Sequence, residues 1–177
     1  SGWISVLKTK LANIELLLLD VDGVLTDGGI TYSDSGDQIK TFNSRDGFGI
    51  RLLMDSGIGV GIITGRKSKA LELRCENLGI HLLFDGINDK SKALDKIISQ
   101  TGIMPEQIAF AGDDLMDLPV IKRVGVSFCV PDACQEVKDH SDIITNQKGG
   151  HGAVREICES ILKAKDLWDA NLNQYLP

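Results

Sequence analysis

Residues 16–19 are four leucines in a row, and Asp20 follows them directly. A strand covered on one face alternates apolar with polar residues. One that stays apolar throughout is covered on both faces, which places it inside a parallel sheet with helices on either side. A buried carboxylate is costly unless its charge is compensated. Asp20 therefore marks where this strand surfaces, and Asp20, Asp22 and Asp27 call for a polar turn and a cation just beyond it.

The rest of the chain repeats the theme. "IELLLLDV" is the first strand, and the segment "GGITYSDSGDQIKTFN" reads as two short arms of a hairpin turning at Ser33 to Gly36. Asp46 is expected to cap a helix running to about Asp55 and closed by Ser56-Gly57. Strands follow in "IGVGIIT", "HLLFDG", "QIAFAGDD", "VGVSFCV" and "SDIIT", with helices in "KSKALELRCENLG" and "DKSKALDKIISQTG". From about Gly150 the pattern returns to helix, with Val154, Ile157, Ile161 and Trp168 on one stripe. Strands alternating with helices predict an α/β fold, a doubly wound (Rossmann-like) parallel sheet. The expected organisation is a single domain over 1–177, with a hairpin insert at about 28–43 and a C-terminal helix and tail at about 150–177. Gly149 to Gly152 reads as a flexible hinge into that helix. The tail "NLNQYLP" either reaches a neighbouring site or frays.

A net charge of -6 discourages nucleic acid and anionic membranes as partners. It leaves room for a small phosphorylated molecule whose charge a divalent cation offsets. No run approaches the ~20 apolar residues of a membrane helix, and no signal-peptide pattern opens the chain. The four cysteines, Cys75, Cys129, Cys134 and Cys158, form no CxxC pair. They read as reduced, mostly buried thiols of a cytoplasmic protein.

In doubly wound sheets ligands bind beyond the carboxyl ends of the strands. The first strand ends at Asp20 and Asp22, and the second at Thr64, Gly65 and Arg66. The third leads to Lys90, and the fourth ends at Asp113 and Asp114, with Asp117 one turn on. Singly, such residues cap helices or make turns. Together they are the parts of phosphoryl transfer through an aspartyl-phosphate. Asp20 is the carboxylate nucleophile. Mg²⁺ held by Asp20 and Asp113, with the Asp22 carbonyl as a further ligand, offsets repulsion between carboxylate and phosphate. Asp22 points the same way as Asp20 on an extended segment and serves as acid and then base. Thr64 and Lys90 hold the phosphoryl oxygens, while Asp117 orients Lys90 or a metal-bound water. His81 and His140 read as structural, and His151 as solvent-exposed.

"DVDGVLTDG", "ITGR", Lys90 and "GDDLMDL" resemble, in order, the four motifs of the haloacid dehalogenase superfamily. The resemblance implies the same roles for Asp20, Asp22, Thr64, Lys90 and Asp113. Within it, "FNSRDGFGIR", "ITGRKSKALELRCENLGI", "GDDLMDLPV" and "GGHGAVREIC" resemble the 3-deoxy-D-manno-octulosonate 8-phosphate phosphatase family. That implies a Mg²⁺-dependent, cytoplasmic homotetramer serving lipopolysaccharide biosynthesis, with hairpins gathered at its centre. It also points to Asn43, Ser44, Arg45, Asp46, Gly47, Arg51, Arg66 and Arg74 as contacts to a sugar acid phosphate. Asn43 to Gly47 precede a helix N-terminus, a natural anion site, and Arg66 and Arg74, eight apart, share a face of a regular helix. Only 25 residues separate Thr64 from Lys90, which leaves no room for a large cap domain. A nonulosonate 9-phosphate phosphatase is the nearest alternative, though that group tends to carry an acidic residue where this chain has Arg66. A receiver-like signalling module and a catalytically idle partner module are the alternatives of another class.

Overall fold

The computed structural model describes residues 2–176. Its elements in chain order are α1 (Gly2–Ala12), β1 (Leu16–Leu19), β2 (Thr31–Tyr32), β3 (Gln38–Ile39), α2 (Ser44–Asp55) and β4 (Gly59–Ile63). Then come α3 (Lys69–Leu78), β5 (Leu82–Phe84), α4 (Lys90–Thr101), β6 (Ile108–Gly112), α5 (Leu118–Ile121) and β7 (Val126–Cys129). The chain closes with α6 (Gln135–His140), β8 (Ile143–Ile144), α7 (Ala153–Ala164) and α8 (Trp168–Leu172).

Six strands form a sheet in the order β5-β4-β1-β6-β7-β8, and every pairing is parallel. The four leucines of β1 are all buried. Side chains alternate across a strand, and here the alternation divides the core. Leu17 and Leu19 pack with α1, α2, α3 and α7 on one face. Leu16 and Leu18 pack with α4, α5 and α6 on the other. The crossovers run to opposite sides of β1, toward β4 and toward β6, so the switch point that hosts ligands lies at the carboxyl end of β1. β2 and β3 pair antiparallel as a separate two-stranded hairpin. The sheet and the hairpin match the fold expected from the alternation of strand and helix.

Several local expectations are corrected. Asn43, not Asp46, caps α2: its side chain accepts the N–H groups of Arg45 at 2.9 Å and Asp46 at 3.1 Å. Asp46 is buried and accepts the backbone N–H of Arg155 at 2.9 Å, so it ties α2 to the start of α7. The C-terminal stripe is split between α7 and α8, because the chain turns at Asp166 with φ of 57°. α1, α5 and α6 are additional helices. The tail folds back on α2, where the Tyr175 ring meets Phe48 edge-on at 5.8 Å.

Gly149 to Gly152 form no hinge. Gly150 N–H donates to the Val24 carbonyl at 3.1 Å, and a Cβ on Gly149 would run into the Gly23 carbonyl oxygen. The glycines are there so that two backbones can touch, which seats α7 against the turn after β1. Gly149→Ala is therefore expected to lower stability by about 3 kcal/mol, or roughly 6–12 °C in Tm. Thermal unfolding measures it; an unchanged Tm would mean the two segments part freely.

Candidate active site

The turn after β1 is built from its own backbone and one hydroxyl. The Val21 carbonyl accepts the N–H groups of Val24, Leu25 and Thr26. The buried Thr26 hydroxyl oxygen accepts from Gly23 and Gly28, each at 3.2 Å. Gly23 has φ of 88°, and a Cβ there would collide with Asp113 Oδ2. The turn is thus shaped to let the carboxylate from β6 come alongside the one from β1.

Asp20, Asp22, Thr64, Gly65, Arg66, Lys90, Asp113, Asp114 and Asp117 all line one cavity of about 310 Å³. They come from the ends of β1, β4 and β6 and from the first residue of α4. Lys90 is buried at the centre. Its Nζ lies 3.1 Å from Asp20 Oδ1 and donates to Asp117 Oδ1 at 2.6 Å. Asp117 is completely buried, and its other oxygen accepts the N–H groups of Asp113 at 2.8 Å and Asp114 at 3.2 Å. It therefore holds both the lysine and the loop that carries Asp113. Asp22 is partly exposed and takes Lys40 Nζ on Oδ1 at 2.6 Å, with Arg66 Nε at 3.6 Å from Oδ2. Asp114 is exposed and caps the short turn that follows it.

The electrostatics show what this arrangement lacks. Burial, then the nearby Asp117, raises the Asp20 carboxyl from its ordinary range to about 6, against the opposing pull of Lys90. Burial, then the adjacent Asp20, raises Asp113 to about 8. Burial alone would lower Lys90, but Asp20 and Asp117 outweigh it and raise it. Ligand oxygens of Asp20, Asp113 and Asp117 fall within 4.8 Å of one another. Both Asp117 oxygens are already engaged, which leaves Asp20 and Asp113 as the outward pair. One lysine cannot neutralise this group, and a hard divalent cation on carboxylate oxygens fits it.

A pH dependence follows. From about pH 4 the metal-free folded protein holds protons that the unfolded chain releases, on Asp20 up to about pH 6 and on Asp113 up to about pH 8. Its stability therefore falls as pH rises through that window. A cation binds the ionised pair, so its affinity rises over the same range. The Tm gain on adding Mg²⁺ is expected to be larger at pH 8 than at pH 5. Scanning fluorimetry reads it; an equal or reversed gain would mean the carboxylates are not the ligands.

The remaining sequence-predicted residues lie elsewhere. Asn43, Ser44 and Arg45 line a second cavity, of about 500 Å³, with His151 and Arg155. Arg74 does not share a face with Arg66, because Ser68 caps α3 and Arg66 falls before the helix begins. Arg74 instead donates to the Asn43 carbonyl at 3.1 Å and lies over the Phe42 ring. Gly47 is buried, and a Cβ there would run into Arg74. Arg51 donates to the Leu78 carbonyl at 2.8 Å, satisfying the end of α3. Cys75, Cys129 and Cys158 are buried free thiols.

A parallel α/β sheet whose central strand delivers a carboxylate beside a buried lysine and a second carboxylate is the arrangement of phosphoryl-transfer proteins. Residues 85–157 match the haloacid dehalogenase-like hydrolase family. The chain is 47% identical over 161 residues to the 3-deoxy-D-manno-octulosonate 8-phosphate phosphatase KdsC of Salmonella typhi, covering 91% of this chain and 86% of that one. The crystal structure of the Yersinia pestis phosphatase superposes with a TM-score of 0.91 at 46% identity, over 93% of this chain and 89% of that one. The Moraxella catarrhalis phosphatase, in complex with a magnesium ion, a phosphate ion and a KDO molecule, gives 0.94 at 40% identity over 97% and 98%. The chain belongs to the 3-deoxy-D-manno-octulosonate 8-phosphate phosphatase family, and the receiver-like reading is set aside.

Proposed function

We propose that this protein hydrolyses 3-deoxy-D-manno-octulosonate 8-phosphate to the free sugar acid and phosphate, as a step of lipopolysaccharide biosynthesis. The observation that carries the reading is Asp20 at the end of β1, 3.1 Å from Lys90 and beside Asp113, in one cavity with Asp22 and Thr64. The S. typhi and Y. pestis relatives bear that activity in their names.

Asp20 attacks phosphorus, and the sugar C8 oxygen leaves with a proton from Asp22. The product of that step is a phosphoryl group on the Asp20 carboxylate. Asp22 then takes a proton from water as the water attacks the same phosphorus, which frees Asp20 and phosphate. Lys90 and the Thr64 hydroxyl hold phosphoryl oxygens as charge shifts onto them. Asp117 keeps Lys90 aimed at the site rather than at solvent. Asp20, Asp113 and the Asp22 carbonyl would hold Mg²⁺, which supplies positive charge where the carboxylate and the phosphate meet.

The hairpin exposes Ile30, Tyr32 and Ile39. Exposed apolar side chains on a short insert suit burial against copies of the same chain, in keeping with a homotetramer. Sedimentation equilibrium tests it: four-chain mass supports the assembly and monomer mass contradicts it. The reading puts the enzyme in the cytoplasm, where its free thiols stay reduced. Among the described residues no helix is long and apolar enough to cross a membrane.

Phosphate release from a panel of sugar acid phosphates tests the substrate. The octulosonate 8-phosphate is expected to give the highest kcat/KM, above the nonulosonate 9-phosphate and above neutral sugar phosphates. A neutral sugar phosphate at the top of the panel would overturn the assignment.

A further inference from the structure

Lys40 follows β3 on the return arm of the hairpin, and its side chain is only 5% exposed. Its Nζ sits 2.6 Å from Asp22 Oδ1, eighteen residues back along the chain. A lysine side chain is long, mobile and strongly hydrated, so a surface lysine normally keeps its ammonium in water. Here the ammonium is withdrawn from water onto one carboxylate oxygen. The other oxygen, Oδ2, has Arg66 Nε at 3.6 Å, and that arginine is 44% exposed. Arg66 lines the cavity with Asp22, whereas Lys40 does not. Asp22 thus has a held side and an open side. Oδ1 is held by the lysine of the hairpin, and Oδ2 is on the side of Arg66, which lines the cavity.

Among the described residues Lys40 and Arg66 are the partners of the Asp22 carboxylate. Asp22 itself stands on a turn outside any helix or strand. Without Lys40 the carboxylate would be free to rotate about its side-chain bonds or swing to the half-exposed Arg66. We infer that Lys40 is a positioning residue for proton transfer, locking Asp22 so that Oδ2 faces the leaving oxygen and later the attacking water. The inference rests on the reading of Asp22 as acid and base. It also makes the hairpin part of the catalytic apparatus, because whatever seats the hairpin seats Lys40.

Proton delivery matters for a poor leaving group and hardly at all for a good one, which separates positioning from a structural role. In Lys40→Met, kcat/KM for the octulosonate 8-phosphate, whose leaving group is a primary alkoxide, is expected to fall about 10- to 100-fold, and that for p-nitrophenyl phosphate less than about threefold. Lys40→Arg should recover most of the sugar phosphate rate. In an Asp22→Asn background, Lys40→Met should cost nothing further. If Lys40→Met does not fold, Lys40→Gln gives the same comparison. Equal losses on both substrates, no loss on either, or a full loss that persists in the Asp22→Asn background would each overturn the inference. Asp20→Asn run alongside keeps the two levels apart. An active Asp20→Asn enzyme sinks the parent mechanism, whereas an inactive one beside a Lys40→Met enzyme without leaving-group dependence sinks only the role of Lys40.

Discussion

Asp20→Asn is expected to abolish phosphatase activity, by about 10⁴-fold or more, while leaving the protein folded. The amide keeps the shape of the carboxylate and can still accept the Val21 N–H that Asp20 accepts at 2.8 Å. It cannot carry a phosphoryl group. The stability effect should run the other way from the activity effect. Burial and Asp117 already push the Asp20 carboxyl up to about 6, so the ionised form opposes folding of the metal-free protein at neutral pH. Removing that charge should leave the metal-free Tm at pH 8 unchanged or higher, and should shrink the gain on adding Mg²⁺. Such an exchange of stability for function is common where like charges are gathered for chemistry. Turnover of p-nitrophenyl phosphate and a pair of melting curves measure both halves. Near-normal turnover would remove Asp20 from the role of nucleophile.

Lys90→Met is expected to cost both activity and stability. The ammonium is 3.1 Å from Asp20 and 2.6 Å from Asp117, with its side chain 3% exposed. Taking one member out of a buried ion cluster leaves the others uncompensated, a loss of about 3–5 kcal/mol. The loss should depend on pH. At pH 5 Asp20, raised to about 6, can take a proton and relieve the cluster. Without the pull of Lys90 that carboxyl rises further, so at pH 8 less of this relief remains and more of the penalty stands. Chemical denaturation at the two pH values should therefore show the larger deficit at pH 8. Activity should fall at least 10²-fold, because phosphoryl oxygens lose a charged donor that is fixed before the reaction begins. A pH-independent deficit would mean that Lys90 acts by packing alone.

How much of this was legible in the sequence divides along physical lines. Local pattern carried the fold: the unbroken leucines of β1, the alternation of strand and helix, and the stop glycines Gly79 and Gly102, both in the left-handed region at the ends of α3 and α4. Position at strand ends brought out the residues that share the cavity, from Asp20 to Asp117, because a parallel sheet gathers its strand ends by topology. What escaped depends on the path of the chain in space. Lys40 meets Asp22 only because the hairpin folds back, and no period or motif spacing encodes that return. Gly149 and Gly150 look like flexible residues until the Gly23–Asp27 backbone is seen against them. Asp46 looks like a helix cap, since an Asp near a helix start usually is one, but Asn43 takes that place and frees Asp46 to reach α7. Arg74 and Arg51 lie outside the cavity that holds Asp20 because the carbonyls of Asn43, just ahead of α2, and of Leu78, at the end of α3, claim them.

The central claim is that phosphate passes through the side chain of Asp20. An acyl phosphate, unlike a free carboxylate, is reduced by borohydride to an alcohol, which would turn Asp20 into homoserine. The best conditions use Asp22→Asn with p-nitrophenyl phosphate, since that leaving group departs without a proton while hydrolysis of the intermediate is slowed. Turnover quenched with borohydride, followed by digestion and mass spectrometry of the peptide containing residues 16–29, should find homoserine at position 20 and intact aspartate at 27. Reduction at another residue, or unmodified Asp20 in a sample quenched during turnover, would contradict it.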